Sequence, residues 1–257
     1  MQSNSSQRPF DLTGQLALIT GGGTGLGLGI AQAMVDAGAR VLLVGRTESK
    51  LKAAAEALGS GANFLVHDIT ELEKTEAFAR SVCADFGVPD TLVNNAGIHL
   101  KKAAEKISDS EFQQVMRSHV DAASSLSREF AKPMLERGSG RILFIASMAS
   151  YMGIPKVAAY SAAKSAHLGL VRALAADFSP RGVRVNAIAP GWIHSDMMHR
   201  AVDADPERKH KILARTPLGD FGQAEDIGYA AVYLSAPAAK FVTGVSLPVD
   251  GGASIGF

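Results

Sequence analysis

The sequence predicts an α/β protein: one doubly wound parallel sheet of about seven strands with helices on both faces. Three observations carry this. Short apolar runs alternate with longer helical patterns almost to the end of the chain. The runs are apolar throughout rather than at every second residue, as in strands covered on both faces. The length of 257 residues, 47% of them hydrophobic and 20% charged, suits one large domain with ample chain for a core.

Leu16–Thr20 reads as the first strand, leading through a glycine-rich turn into a helix that runs to about Asp36. Arg40–Val44 and Asn63–His67 are the next strands, each followed by a helix, Thr47–Leu58 and Glu71–Phe86. Asp90–Asn94 is the fourth. A long helical region follows from about Asp109 to Glu136, in which Pro133 is expected to kink or end the helix for want of an N–H. Arg141–Ala146 is the fifth strand. The next helix carries Tyr160 and Lys164 to about Phe178, where Ser179-Pro180-Arg181-Gly182 stops it. Val183–Ile188 is the sixth strand, helical patterns cover Ser195–Arg215 and Gln223–Ser235, and Val245–Val249 closes the sheet. Residues 10–257 read as a single domain, and the polar residues 1–9 as a disordered leader. The stretch from Trp192 to about Gly222 breaks the β–α rhythm and is where a substrate lid is expected.

Lys+Arg is 26 and Asp+Glu is 25, and there is no polybasic run, which speaks against nucleic acid and anionic membrane as partners. The single cysteine, Cys83, excludes an internal disulfide framework and fits a reducing, cytoplasmic setting. No apolar run approaches the roughly 20 residues that span a bilayer. The seven histidines lack metal-ligand spacing, so no metal is expected.

The chemistry concentrates in Tyr160-Ser161-Ala162-Ala163-Lys164. Four residues apart, Tyr160 and Lys164 share a helix face. A free tyrosine titrates near 10, and a nearby ammonium favours its phenolate, so the phenol pKa is expected to be drawn down. Such a group donates a proton to a carbonyl or takes one from an alcohol. The first strand runs into Thr20-Gly21-Gly22-Gly23-Thr24-Gly25-Leu26-Gly27, and the six glycines between Gly21 and Gly29 exceed what a turn needs. Such a loop lets backbone approach a pyrophosphate, which the helix N-terminus then favours.

The loop has the TGxxxGxG spacing of the short-chain dehydrogenase/reductase family, and the other motifs keep that family's order. Asn94-Asn95-Ala96-Gly97 matches its NNAG. Ser147 lies thirteen residues before Tyr160, and Ala189-Pro190-Gly191 and Asp250-Gly251-Gly252 match its PG motif and its ending. The resemblance covers about Phe10 to Gly252. It implies that Tyr160 is the proton donor or acceptor, that Lys164 tunes it and binds the nicotinamide ribose, and that Ser147 hydrogen-bonds the reacting oxygen. Gly21, Gly23, Thr24, Gly25, Leu26, Gly27, Asn95, Ala96, Gly97, Pro190, Gly191, Ile193 and Ser195 would hold the cofactor. Asp68 would meet the adenine amine, with Ile69 beside the ring.

One position departs from the pattern. His119 stands where many members carry an asparagine that holds a water next to the lysine. Histidine donates, accepts and titrates near neutrality, so it either preserves a relay and adds pH dependence or simply packs. Cofactor choice rests on Val44-Gly45-Arg46. With no acid at that junction, Arg46 is expected to pair a 2′-phosphate, which favours NADP(H) over NAD(H). The glycine loop itself offers no second basic residue.

The fold does not name the substrate. Trp192 and Met197 are expected either to wall the substrate pocket or simply to pack a lid. Lys101 and Lys102 lie just beyond the cofactor crevice, where they either hold a substrate carboxylate or form a solvated pair. Sugar-acid dehydrogenases of the family look similar there. The expected substrate is therefore a sugar acid or polyol, with 3-oxoacyl-carrier-protein reduction as the alternative and a catalytically weak dinucleotide sensor as a third reading. The resemblance also implies a homotetramer. The alanines of the Tyr160 helix (Ala162, Ala163, Ala166, Ala173, Ala175 and Ala176) suit either a partner helix or the sheet.

Overall fold

The structure, a computed structural model, describes residues 8–194 and 206–256. Seven parallel strands form one sheet in the order β3-β2-β1-β4-β5-β6-β7. They are β1 Leu16–Thr20, β2 Arg40–Gly45, β3 Ala62–Val66, β4 Thr91–Asn94, β5 Gly140–Ile145, β6 Val183–Pro190 and β7 Ser246–Val249. The helices are α1 Gly25–Asp36, α2 Glu48–Leu58, α3 Thr75–Phe86, α4 Asp109–Met116, α5 Ala122–Arg137, α6 Ala158–Phe178, α7 Pro206–Arg215 and α8 Ala224–Ser235. No helix among the described residues is long and apolar enough to cross a membrane.

Register explains why the strand runs do not alternate. Leu18 pairs with Leu42 and Leu92, Leu92 with Ile142, and Ile142 with Val185, a row that packs under α5 and α6 with Phe130 and Phe144. One residue on, Ile19, Leu43, Val93 and Leu143 face the opposite layer with Ile30 and Met34 of α1 and Ile227 of α8. Both faces are covered, so both sets must be apolar. Truncating one of the large side chains, such as the fully buried Phe144, to alanine would cost about 3–5 kcal/mol.

Three expectations need correction. Pro133 does not end its helix, because α5 continues to Arg137 and stops only at Gly138, which adopts φ 73°. Buried Phe130 and Met134 hold that last turn to the core in spite of the missing donor. The expected single helix from Asp109 is instead α4 and α5 joined by one π-helical segment, Arg117–Asp121, which contains His119. The helix expected from Glu71 starts at Thr75, after a 3₁₀ turn at Leu72–Lys74. Of the expected leader, residues 1–7 lie outside the described residues, and Pro9 is already anchored by accepting the Ala238 N–H at 2.9 Å.

Candidate active site

The order of the sheet reverses between β1 and β4, and the strand C-termini there open onto a crevice. β1 ends at Thr20, whose hydroxyl donates to the Val93 carbonyl at 3.2 Å and accepts the N–H groups of Asn95 and Ala96 at 3.0 and 3.1 Å. The Asn95 amide returns a bond to the Thr20 carbonyl at 2.9 Å. These bonds fix the glycine loop against the β4 turn. A Cβ on Gly27 would lie 2.2 Å from the Gly21 carbonyl oxygen, so only glycine lets the loop fold back onto α1. Thr24, the α1 N-cap, makes no side-chain capping bond, and no acidic residue occupies the first turn. The opening N–H groups of α1 are left as donors for an anion.

A cleft of about 300 Å³ runs over this platform. Gly21, Thr24, Leu26 and Gly27 line it from the loop, Arg46 from the end of β2, Asp68 and Ile69 from beyond β3, and Asn95, Ala96 and Gly97 from beyond β4. Uncapped helix donors, a backbone-only cradle and a half-polar cleft fit a dinucleotide. Burial alone would raise the Asp68 carboxyl, but bonds from the Thr70 N–H and hydroxyl at 2.9 and 2.7 Å, with the Arg46 charge, hold it below its ordinary range. Arg46 Nη1 lies 3.8 Å from Asp68 Oδ2. A smaller hollow of about 150 Å³ opens beside it, lined by Gly23, Thr24, Arg46, Thr47 and Lys50. Lys50 is the second basic group that the glycine loop lacks; it comes from the first turn of α2, which packs on that loop.

A second cleft of about 360 Å³ shares Leu26, Asn95, Gly97 and Ile98 with the first. Ser147, Tyr160, Lys164 and His119 line it, with Gly25, Pro190, Gly191, Trp192 and Ile193. Ser147 follows β5 and caps a 3₁₀ turn, its hydroxyl accepting the Ala149 N–H at 3.1 Å. Capping and a place in the cleft are thus compatible. Lys164 is buried; its ammonium donates to the Ile145 carbonyl at 2.5 Å and lies 5.6 Å from the Tyr160 ring centre. Burial lowers the Lys164 pKa to about 7. The Tyr160 phenol, expected to be drawn down, is instead raised: burial dominates, and the Ser147 hydroxyl offsets it only in part. Desolvation penalises the phenolate itself, whatever the interval to Lys164.

His119 is buried, with Nε2–H donating to the Ile98 carbonyl at 2.8 Å and its ring edge-on to Tyr160 at 5.6 Å. Its carbonyl accepts Nε2–H of buried His167 at 2.9 Å. Burial first, and the Lys164 charge second, lower both imidazoles to about 3. The expected titration of His119 near neutrality is therefore corrected: it is neutral throughout the physiological range. Nδ1 of the His119 ring is buried without a hydrogen-bond partner. A Cβ on Gly97 would lie 1.9 Å from His119 Cε1, so the imidazole packs against the β4 turn where only glycine leaves room.

Other expected residues separate. Lys102 binds both Glu111 carboxylate oxygens at 2.8 Å, which leaves it no free charge for a substrate. That pair and the Ser108 cap hold Glu111 at about 2. Lys101 faces a different cavity, which it shares with Trp192. Ser195 and Met197 lie outside the described residues. The sequence reading missed His99, whose ring stands 5.1 Å from that of Tyr160 inside the second cleft. It also missed His167, and it gave no role to Thr20. A histidine three residues after a helical lysine shares its face, a signal that was present at His167.

Fold and clefts together define an oxidoreductase that works with a bound dinucleotide. The chain belongs to the short-chain dehydrogenase/reductase family. A family model described as Enoyl-(Acyl carrier protein) reductase matches residues 21–254. The chain is 36% identical to the gluconate 5-dehydrogenase of Gluconobacter oxydans (strain 621H), covering 96% of this chain and 97% of that protein. It is 40% identical to the galactitol 2-dehydrogenase (L-tagatose-forming) of Cereibacter sphaeroides, with the same coverage. Among solved structures it superposes with a TM-score of 0.92 on a gluconate 5-dehydrogenase from Burkholderia cenocepacia J2315 in complex with NADP and tartrate, at 33% identity over 97% of this chain and 98% of that one.

Proposed function

We propose that this chain interconverts a secondary alcohol and a ketone on a sugar acid or related polyol, with NADP(H) as cofactor. The observation that carries the reading is the placement of Ser147, Tyr160 and Lys164 in one cleft continuous with the glycine-loop cleft. The nicotinamide, when bound, supplies or accepts the hydride. Tyr160 gives its proton to the substrate oxygen in reduction and receives it in oxidation. The Ser147 hydroxyl donates to the same oxygen and steadies its charge. Lys164, titrating near 7, is charged in part at neutral pH, and its ammonium favours the phenolate. His119 acts as a positioning residue: a neutral imidazole tied to Ile98, set against the Tyr160 ring and holding α6 through His167. The cofactor's 2′-phosphate is assigned to the hollow of Arg46, Thr47 and Lys50; the NADP bound to the Burkholderia relative supports this.

The stretch from Trp192 to about Gly222 is assigned as the substrate lid; residues 195–205 lie outside the described residues, and Ile193 bridges Gly222. The unit is assigned as a cytosolic homotetramer. Support comes from the free edge of β7, from Phe241 at 99% exposure, and from α6, where Ala162, Ala173 and Ala176 are exposed while Ala163 and Ala175 are buried. Sedimentation at micromolar concentration should give a single species of four chains.

The deciding experiment follows nicotinamide absorbance with NADP⁺ and gluconate, galactitol and other polyols, and with NADPH and β-ketoacyl thioesters. Turnover of a sugar acid or polyol that disappears in Tyr160→Phe supports the reading. Turnover of the thioesters alone replaces it with oxoacyl reduction, and tight cofactor binding without any turnover leaves a dinucleotide sensor.

A further inference from the structure

Beyond Trp192, on the side away from the glycine loop, lies a third cavity of about 460 Å³. Four cationic side chains line it: Lys101 after β4, Lys156 before α6, and Lys211 and Arg215 of α7. Ile154, Pro155 and Ile212 give it an apolar wall, and no carboxylate lines it among the described residues. Convergence of like charges from three separate segments is unfavourable in itself; Lys211 is already paired with Glu207 at 2.6 Å, so an anion placed there gains from Lys101, Lys156 and Arg215.

The backbone braces this arrangement. Lys156 adopts φ 67°, the one positive φ outside glycine among the described residues. That conformation is unfavourable for a residue with a Cβ. It is held by the Lys156 carbonyl, which accepts the Lys102 N–H at 2.8 Å and joins the Lys101 loop to the loop before α6. Trp192 lines this cavity and the catalytic cleft alike. The Lys101 charge is felt on that side too: after burial, it is what lowers the pKa of His99, beside Tyr160.

We propose that this cavity is a distal anion subsite that takes the carboxylate end of a substrate whose hydroxyl-bearing carbon sits at Tyr160. The proposal rests on the sugar-acid reading and gives it a specificity device, since a neutral polyol has nothing to place there.

Trp192 is the chain's one tryptophan, so its fluorescence reports occupancy without turnover. NADP⁺-loaded protein is titrated with D-gluconate, with D-glucitol as the neutral molecule of the same skeleton, and with D-glucitol 6-phosphate. Gluconate should give a saturable change whose Kd rises about tenfold in Lys101→Gln/Arg215→Gln, relative to that for glucitol. Lys156→Gly, which keeps the left-handed backbone, should give a smaller rise of the same sign. Lys211 is left intact because it pairs with Glu207 at 2.6 Å. Equal changes for gluconate and glucitol, or no saturable signal with gluconate, overturn the subsite. Tighter binding of the 6-phosphate than of gluconate overturns the carboxylate assignment, and a response to an acidic carrier protein alone turns the cavity into a protein-docking surface. Absorbance assays on the same samples separate the two ideas. Charge-dependent gluconate binding without turnover sinks the sugar-acid reading and keeps the subsite. Gluconate turnover whose KM ignores the charge variants does the reverse.

Discussion

The two clefts that meet at Leu26, Asn95, Gly97 and Ile98 are made of different materials. The first is a backbone object, built from a glycine loop, an uncapped helix start and strand ends tied together by the Thr20 hydroxyl. Its properties follow from where atoms are. The second is lined with buried titratable side chains, and its properties follow from how poorly solvated they are. Lys164 falls to about 7 and His119 and His167 to about 3 because water is excluded. A backbone site fails first on an added atom; a desolvated site fails first on a change of charge or of access to water.

The contrast is broken or sharpened most strongly at its chemical centre. Tyr160→Phe should reduce kcat by about 10²–10⁴-fold and leave cofactor affinity within a few-fold by titration; a loss of affinity as large as the loss of rate would merge the two clefts into one. On the backbone side, Gly27→Ala forces the 2.2 Å collision with Gly21 and should raise the Kd for cofactor at least about tenfold. Arg46→Ala should raise the Kd for NADPH by about tenfold, roughly the loss of one charge-assisted contact, and change that for NADH little; equal effects on both cofactors would refute the 2′-phosphate assignment.

The border between the clefts can be tested by coupling. Gly97→Ala should destabilise the protein through its contact with the His119 ring, and much of that loss should vanish when His119 is also alanine. A double-mutant cycle in denaturant should return about 0.5–3 kcal/mol of interaction.

The desolvated side predicts how stability follows pH. Between about 7 and its ordinary 10.5, Lys164 binds more protons unfolded than folded. Apo stability should therefore rise with pH across that window, and the rise should be absent in Lys164→Met. Below 6.5 the unfolded chain protonates two histidines that the folded protein keeps neutral down to about 3. Stability should therefore decline as the pH is lowered through that range, less steeply in His119→Asn. The smallest effect belongs to Lys102→Gln: with its charge already matched by Glu111, gluconate KM should move less than about twofold, since an exposed pair contributes about 0–1 kcal/mol.

The backbone cleft was legible in the sequence because its makers are residue types with one steric meaning. Gly21, Gly27 and Gly97 stand where they do for want of a Cβ, and apolar runs without alternation fix a sheet covered on both faces. Ser147, Tyr160 and Lys164 were legible as a spacing. Their electrostatics were not, since a helical interval carries no information about burial; the expected depression of the Tyr160 phenol took the Lys164 charge at face value. Lys101 and Lys102 were inseparable as neighbours in the chain and part company in space, one to Glu111 and the other to the cavity behind Trp192. Pro133 misled for a similar reason: its local cost is offset by Phe130 and Met134, which belong to the core rather than to the helix.

The order of the strands also sets a timetable for the newborn chain. β1 is an interior strand of the sheet, and its partner on one side, β4, follows far behind: Thr20 and Val93, which share a hydrogen bond, are 73 positions apart. At synthesis rates of about 5–20 residues per second, Leu18 and Ile19 wait about 4–15 seconds beside β2 alone, one edge open, before β4 is made. A ribosome pause inserted just before β4 should therefore increase aggregation of nascent chains more than an equal pause placed after β5.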